Sequence, residues 1–464
     1  MHSFPPQTTS KTTAGRWKAG ASFTIFASFT ALTGCQTYQP SALDPGSHAA
    51  AWQQRGPADE KVRDFARRLA ASAPRSVNFN PNDGLTVDEG ELVALVYNPD
   101  LRLDRLKAGV AQATADHAGR WDDPTLNIDL LKVTQSVPSP WIVGSAISLT
   151  LPVSGRLAAE KSRAKAEHHA ELARVAEEEW KTLRDLRKAW LGWSADWLRL
   201  EQTGHIIRSL ESVVETTAKL SEAGELPRTE SALFKIEHES RKADIVRLRG
   251  QLRESEQEIR SLMGISPTAP ARFTPSLAAS HIQRRVGSLP DTNPTLIRLQ
   301  SEYEVAEFAL LREIRKQYPD LELGPQFERE AGQSKIGVVG AIPLPIFNSN
   351  KGGIATARAA RELARGTYET EMERTEGRLA AMRARLDGAR ARRQSIDSNV
   401  VPLVDRQIDD ARKALEIGEG ESLVLLESLV RAHEAKLSLI DARLEECDAQ
   451  NEIRHLSGPA TRGL

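Results

Sequence analysis

The sequence predicts an α+β protein with an internal duplication, in which a long antiparallel α-helical coiled-coil tunnel is combined with an antiparallel transmembrane β-barrel. Three observations predict this fold class. Landmark residues recur in the same order in both halves of the chain, and short segments alternate between apolar and small or polar residues. Two very long stretches are rich in Ala, Arg, Glu and Leu and almost free of proline. Alternation with a period of two indicates strands, and the long stretches indicate helices.

The duplication is defined by residues that repeat at a nearly constant spacing. The matching landmarks are Asn98-Pro99 with Asn293-Pro294, Pro124 with Pro319, and Gly224 with Gly418. The first two pairs are each separated by 195 residues. Between them, SLTLPVSGRLAAEKSRAKAE parallels AIPLPIFNSNKGGIATARAARELA. Because the landmark residues occur in the same order over this length, the chain is predicted to contain two copies of one structural unit.

Each unit has the same predicted order of elements. A helix begins after Asn-Pro, because proline in the first turn loses no hydrogen bond, and it ends before the next proline. Two strands follow. In VGSAISLTL, Val143, Ile147 and Leu149 lie on one face, with Gly144 and Ser148 on the other. This pattern suits a wall between lipid and water, although strand periodicity alone also fits a half-buried hairpin in a soluble protein.

The number of strands predicts association of several chains. Two strands per unit give four strands per chain, whereas even small membrane barrels need about eight. An open sheet edge does not occur in the hydrocarbon of a bilayer. Several copies must therefore combine their strands, and three copies, with twelve strands in total, are the smallest solution that leaves an open interior. The sequence thus predicts a barrel completed by trimerisation.

The long helical stretches run from about Gly155 to Ser221 and from about Gly353 to Ile417, and each has a length on the order of 100 Å. Each is followed by a turn and a returning helix. The last returning helix has a predicted coiled-coil seam at Leu423, Leu426, Val430, His433, Leu437, Ile440, Leu444 and Cys447. His433 and Cys447 are therefore predicted to be packed core residues.

The amino-terminal residues predict export. Lys11, Arg16 and Lys18 precede a short apolar run that ends in Leu-Thr-Gly-Cys, which resembles the bacterial lipobox, with Cys35 as the acylated residue. In that rule Gln36 favours sorting to the outer membrane. The predicted organisation is 1–34 lipoprotein signal peptide, 35–90 N-terminal periplasmic arm, 91–275 first repeat, 276–290 linker, 291–458 second repeat and 459–464 C-terminal tail. The arm is expected to be extended, with one amphipathic piece near KVRDFARRLAAS.

Composition and motifs argue against other classes of protein. Lysines and arginines, 62 in total, nearly balance the 63 aspartates and glutamates, so no basic field predicts a nucleic-acid partner. The sequence has no His-Glu-x-x-His, no phosphate-binding glycine loop and no Gly-x-Ser-x-Gly. The adjacent His168 and His169 cannot chelate from one helix face. We therefore expect no enzyme activity, no cofactor and no dedicated metal site.

The residues above resemble the outer-membrane factor, or TolC-like, family of efflux channels. The resemblance rests on the lipobox, the doubled Asn-Pro-x-Leu helix, the junctions LPVSGR and IPLPIFNSNKGG, and the tips AGELPRTESAL and IGEGESLVLLESL. It extends from about Leu92 to Ser457, and the second junction is similar to the branch that serves heavy-metal pumps of the resistance-nodulation-division type. The resemblance implies a homotrimer in outer-membrane lipid, a periplasmic adaptor (membrane fusion) protein, an inner-membrane pump of that type, and metal cations as cargo.

The resemblance also assigns candidate site residues. The adaptor-contacting tips carry over to Ala223, Gly224, Glu225, Leu226, Ile417, Gly418, Glu419 and Gly420. Relatives narrow the tunnel with two acidic residues, and the corresponding positions here are Val424 and Glu427. One predicted ring of carboxylates is therefore retained and the other is apolar.

Two further functions remain compatible with the sequence. A lipid-anchored periplasmic coiled-coil scaffold would account for the long helices and for Cys35, but it would leave both hairpins as small soluble sheets. An exit duct of a drug efflux system or of a type I protein secretion system would share the architecture and serve a different pump.

Overall fold

The computed structural model describes residues 37–72, 79–278, 288–417 and 421–459. The predicted signal peptide and its lipobox Cys35 lie outside these residues, and so do the tip residues Gly418, Glu419 and Gly420.

Residues Met1–His48 are a unit of their own. Its described residues are exposed, and they include the start of helix α1, Pro45–Gln53. The backbone N–H of Ser47 donates a hydrogen bond of 2.9 Å to the Asp44 carboxylate just before this helix. All later elements belong to the second unit, Ala49–Leu464.

The second unit combines long helices with one sheet. Its helices are α2 Glu60–Ser72, α3 Val87–Tyr97, α4 Pro99–His117, α5 Arg156–Glu222, α6 Arg228–Met263, α7 Leu289–Thr292, α8 Pro294–Arg315, α9 Lys351–Ser395, α10 Val401–Glu416 and α11 Ser422–Ser457. Its strands are β1 Thr125–Lys132, β2 Trp141–Leu151, β3 Leu321–Glu330 and β4 Gln333–Ala341. In both halves a helix after Asn-Pro leads to two strands, a very long helix and a returning helix. Within the described residues, no helix combines the length and apolarity needed to cross a bilayer.

The Asn-Pro pairs begin helices for a local reason. The side-chain oxygen of Asn98 accepts hydrogen bonds from the N–H groups of Asp100 and Leu101, at 3.0 and 3.1 Å. The side-chain oxygen of Asn293 accepts one from Leu296 at 3.0 Å. These bonds satisfy donors that the first helical turn leaves without partners, and the following proline has no N–H to satisfy. The predicted helix starts are confirmed.

The strands form one antiparallel sheet in the order β1-β2-β3-β4, which confirms four strands per chain. The register pairs Leu126 with Ile147, and Phe327 with both Ser145 and Ile336. Because paired residues point to the same side of a sheet, most of the leucine, isoleucine, valine and phenylalanine side chains collect on one face, whereas Leu131, Ile142 and Val339 lie on the other. That face carries Leu126, Ile128, Leu130, Val143, Ile147, Leu149, Leu321, Leu323, Phe327, Ile336 and Val338.

This apolar face is open in the single chain. Ile336 is 86% exposed and Val338 is 77% exposed. The opposite face carries small and polar residues, including Gly144, Gln326 and Glu328. Soluble monomers rarely expose a contiguous apolar surface of this extent. The sheet therefore has the one-sided character predicted from the strand alternation.

The two long helices differ in continuity. Helix α5 has 67 residues without interruption. The corresponding stretch of the second half consists of α9 and α10, separated by a five-residue π-helical segment, Ile396–Val400. Pro402 lies two residues after this segment and has no N–H for the α-helical bond to residue 398, so a wider turn before it relieves a conflict that a regular helix would contain. The sequence predicted one continuous helix here, and that prediction is wrong at this segment.

The predicted seam of α11 is correct in its second half and wrong at its start. His433, Ile440 and Cys447 are buried as expected. Near the start of the helix, Leu425 and Leu429 are buried, whereas Leu423 is exposed. Leu425 and Leu429 pack with Ile206 and Leu210 of α5 and Ala411 of α10 in one cluster. At this end the buried residues of α11 lie on a different side of the helix from the predicted seam, because α11 contacts both α5 and α10 there.

The region before Asn98 contains more helix than the extended arm predicted from the sequence. Helix α2 coincides with the amphipathic piece, and its Val62 is fully buried in a core cluster with Trp190 and Trp193. Helix α3 runs across the expected boundary at residue 90. Its start is a capping box between Thr86 and Glu89, a local signal for a helix N-terminus.

Candidate functional site at the helical tips

The first tip is an exposed turn between α5 and α6. Gly224 follows the end of α5 with φ 79°, and the N–H groups of Glu225 and Leu226 donate to the Leu220 carbonyl at 2.9 and 3.2 Å. The turn thus satisfies a carbonyl that the helix end leaves open. Ala223, Gly224 and Glu225 are exposed, and a Cβ at Gly224 would meet no atom within 4 Å. The turn therefore leaves its backbone open to solvent.

The second tip lies between α10 and α11. Ile417, the residue after α10, is 69% exposed. Helix α11 begins at Ser422, whose hydroxyl donates a hydrogen bond of 2.7 Å to the Glu230 carboxylate in the first turn of α6. The tip ends of the returning helices α6 and α11 are therefore held side by side, and the apolar cluster of α5, α10 and α11 lies behind them.

The predicted constriction residues Val424 and Glu427 lie one turn apart near the start of α11, and both are exposed. They line an open groove of about 620 Å³ between α10 and α11, together with Leu403, Val404, Gln407, Leu423, Ser428 and Arg431. The structure thus brings the two residues together on one surface. On α11 that surface is apolar at Leu423 and Val424 and charged one turn further on at Glu427.

Glu427 is not an isolated charge. The guanidinium of Arg431 donates to its carboxylate at 2.7 Å and contacts the Glu434 carboxylate at 3.4 Å. The hydrogen bond to Glu427 raises the pKa of Arg431 above its ordinary value. Each chain therefore offers Glu427 together with a neutralising cation, a partner that the sequence analysis did not consider.

Two matching contacts at the other end of the hairpins were missed by the sequence analysis. The Asn98 amide donates to the Leu262 carbonyl at the end of α6 at 2.9 Å, and the Asn293 amide donates to the Leu456 carbonyl at the end of α11 at 2.8 Å. We call these the Asn98 clasp and the Asn293 clasp. Each joins the start of one helix to the end of another more than 160 residues away.

A glycine completes each clasp. Gly264 has φ 70°, and a Cβ there would lie 2.0 Å from the Tyr97 carbonyl oxygen. Gly458 has φ 76°, and a Cβ there would lie 1.8 Å from the Thr292 carbonyl oxygen. Both positions therefore need a residue without a side chain. The sequence signal was present, since Gly264 and Gly458 are separated by 194 residues, close to the spacing of the two asparagines.

The strand-to-helix junctions are fixed by polar contacts. Asp320, which precedes β3, accepts a hydrogen bond from the Ser154 hydroxyl at 2.8 Å and forms an ion pair with Arg156. Burial opposes the charged form of Asp320, but these contacts outweigh it and lower its pKa. In the second half, the Asn350 amide donates to the Glu313 carbonyl at 2.8 Å. These contacts connect the sheet to the helices at defined positions.

The buried titratable groups confirm their interpretation as core residues. His433 and Cys447 are each 5% exposed. Burial, followed by the charge of Arg241, lowers the pKa of His433 to about 4. Burial also raises the pKa of the Cys447 thiol to about 11. The described residues contain no group of three or more His, Cys, Asp or Glu side chains placed to bind a metal ion.

Comparisons with known proteins agree with this architecture. Residues 93–265 match the model of the outer membrane efflux protein family. The chain is 21% identical over 249 residues to the cobalt-zinc-cadmium resistance protein CzcC of Cupriavidus metallidurans, an alignment that covers 51% of this chain and 58% of CzcC. The chain thus spans less than two thirds of that curated relative.

Solved structures extend the similarity over most of the chain. CusC, studied for transmembrane channel formation, superposes with a TM-score of 0.70 at 15% identity, over 90% of this chain and 99% of CusC. The outer-membrane channel OprN has a TM-score of 0.70 at 16% identity, over 80% of this chain and 89% of OprN. At such identities the similarity establishes the fold. The fold is that of outer-membrane efflux channels, and with the family match it confirms the resemblance seen in the sequence.

Proposed function

We propose that three copies of this chain form a passive outer-membrane channel of a tripartite efflux system. The observation that carries the proposal is the four-stranded sheet, with one apolar face and two open edges, joined directly to very long helices. An open edge in hydrocarbon leaves backbone groups unsatisfied. The edges β1 and β4 must therefore pair with strands of neighbouring copies, and the apolar face then meets lipid.

The helices support the same closure. Helix α8 packs against both α5 and α9, whereas its counterpart α4 packs against α5 and, at its start, α3. The bare side of α4 exposes Leu103, Leu106 and Val110, which are three or four residues apart and form one apolar stripe. By the duplication, α9 of the next copy is the natural cover for this stripe. Helix α4 of one copy would thus pack against α9 of the neighbouring copy, and repetition of this contact would close a ring of helices.

The tips are the proposed contact with the periplasmic adaptor. Ala223, Gly224, Glu225 and the partly buried Leu226 form one turn, and Ile417, Gly418, Glu419 and Gly420 would form the other. The Ser422–Glu230 hydrogen bond keeps the two hairpins at one level, so that an adaptor meets both. The adaptor in turn binds an inner-membrane pump of the resistance-nodulation-division type.

Val424 and Glu427 are the proposed constriction. Three Glu427 carboxylates around one axis would attract cations and repel each other. Arg431 lies one turn away and would reduce both effects. We therefore propose that the cation preference of the constriction depends on both the charge of Glu427 and the opposite charge of Arg431.

The proposed cargo is a metal cation. The support is the similarity to CzcC, which is named for cobalt, zinc and cadmium resistance. Lipidation at Cys35 after removal of residues 1–34 remains part of the proposal, with the chain anchored in the outer membrane and the helices in the periplasm.

The test uses the full chain expressed with its signal peptide and purified from membranes in detergent. We expect a trimer by light scattering, stepwise ion conductance in planar bilayers, and sensitivity of a deletion strain to cobalt, zinc or cadmium salts. A chain that is monomeric and water-soluble after replacement of Cys35 would instead support the scaffold. If the trimer conducts ions but deletion of its gene leaves the metal sensitivity of the strain unchanged, the channel proposal stands and the metal-cargo proposal is wrong.

A further inference from the structure

The segment that follows β4 continues the apolar face of the sheet beyond its last paired residue. In the strand, Ile336 and Val338 lie on that face. The alternation continues through Ile342, Leu344 and Ile346, all of which are exposed. Phe347 comes next and is 95% exposed. We call residues 342–347 the post-strand segment.

The composition of this region is unusual in a chain with 27% charged residues. No charged residue occurs between Lys335 and Lys351. Pro343 and Pro345 remove two backbone donors, and the N–H of Ile346 donates to the Leu344 carbonyl at 2.9 Å. A segment with apolar side chains and a reduced number of backbone donors is suited to the boundary between lipid and water.

The segment ends at a polar boundary. After Phe347 come Asn348, Ser349 and Asn350, and the Ser349 hydroxyl donates to the Pro345 carbonyl at 2.7 Å. Asn350 is held by Glu313 of α8. The change from apolar to polar therefore takes place within one or two residues, at the level where the sheet gives way to the helices.

The first half of the chain has a shorter version of the same feature. Val153 follows Pro152, is exposed, and donates its N–H to the Leu151 carbonyl at 2.9 Å. This matches Ile346, Pro345 and Leu344 residue by residue. Ser154 and Gly155 follow at once, so the first half has no counterpart of Phe347. The additional apolar length belongs to the second half only.

We propose that the post-strand segment is a membrane anchor whose side chains lie in the phospholipid interface at the inner leaflet of the outer membrane. This inference rests on the proposed function, which sets the sheet in the bilayer. The occupant is lipid, since the segment is continuous with the lipid-facing stripe of β4 and has the same side-chain alternation. Three such segments per trimer would fix the depth of the channel in the membrane.

The test measures the surroundings of single nitroxide labels by electron paramagnetic resonance. Cysteines are introduced by Phe347→Cys, Leu344→Cys, Val338→Cys and Ile417→Cys in a Cys447→Ala chain, and the parent chain without an added cysteine gives the background. The trimers are reconstituted in phosphatidylethanolamine–phosphatidylglycerol vesicles. Collision rates are measured with oxygen, which partitions into lipid, and with a neutral nickel chelate, which stays in water.

We expect the labels at 347 and 344 to have an oxygen-to-nickel collision ratio several-fold higher than the label at 417, and to approach that of the label at 338. A ratio at 347 and 344 equal to that at 417 would place the segment in water and overturn the inference. Protection from both reagents would mean that a second copy of the chain covers it, and would overturn the inference as well. If the label at 338 also lies in water, the proposed function itself fails.

Discussion

Replacement of Gly264 by alanine tests the clasp that closes the first hairpin. Gly264 adopts φ 70° at the end of α6, and the Asn98 amide binds the Leu262 carbonyl two residues earlier. The methyl group of alanine would lie 2.0 Å from the Tyr97 carbonyl oxygen and 2.5 Å from its carbon. Because both contacts are to backbone, the conflict is relieved only if the two helix ends move apart.

The expected cost has two parts. A left-handed conformation costs a residue with a side chain about 1 kcal/mol. Separation of the helix ends lengthens or breaks the Asn98–Leu262 hydrogen bond, worth about 1 kcal/mol, and strains the Asn98 cap, worth about as much again. The total is about 3 kcal/mol, which corresponds to a factor of roughly one hundred in the equilibrium constant.

Gly224→Ala is the matched control. Gly224 has a similar φ of 79°, but a Cβ there meets nothing within 4 Å, so only the conformational cost of about 1 kcal/mol applies. The assay is thermal unfolding of the detergent-solubilised trimer by circular dichroism. We expect the apparent midpoint of Gly264→Ala to fall two to three times as far as that of Gly224→Ala, and Gly458→Ala to behave like Gly264→Ala. Equal shifts for Gly264→Ala and Gly224→Ala would refute the reasoning.

Three further predictions concern the tips and two histidines of α11, the buried His433 and the partly buried His455. Glu427→Gln should weaken the cation preference of the trimer in bilayers and Arg431→Gln should strengthen it, since each leaves its partner's charge uncompensated; no change in either variant would remove both from the pore. Gly224→Val should reduce adaptor binding in a pull-down while the trimer persists, and intact binding would contradict the tip assignment. Burial lowers the pKa of His433 and His455 to about 4. Their contribution to stability is therefore complete above pH 6.5 and is lost as the pH falls toward 4, by about 2 to 3 kcal/mol for each histidine at most. The free energy of unfolding of a His433→Gln, His455→Gln double variant should depend less steeply on pH in this range. An unchanged dependence on pH would mean that other groups cause the acid sensitivity.

Local signals account for the parts of the fold that the sequence predicted well. Asn98 and Asn293 cap helices through bonds to residues two or three positions later, so the pattern is complete within a few residues. Strand alternation is equally local, and the register of the sheet agrees with it. The exposed tip at Gly224 follows from a glycine between two helices.

Features that depend on distant partners were not predictable in the same way. The need for glycine at 264 arises from the Tyr97 carbonyl, and the sequence indicates it only through the matching position of Gly458 in the second half. The pairing of Glu427 with Arg431, in contrast, could have been predicted from the sequence, because a spacing of four residues on a helix brings the side chains together. The start of the α11 seam failed because Leu425 faces α5, a helix more than 200 residues earlier in the chain.

The two edge strands also have a consequence for how the subunit is made. Before assembly, β1 and β4 carry free backbone donors and acceptors beside an exposed apolar face, and such edges pair with any extended chain they meet. Under the proposed function, a single subunit that stays in water is therefore expected to aggregate through this sheet. The proposed channel would then need a carrier that shields this sheet before insertion, and production in excess of that carrier should drive the protein into aggregates.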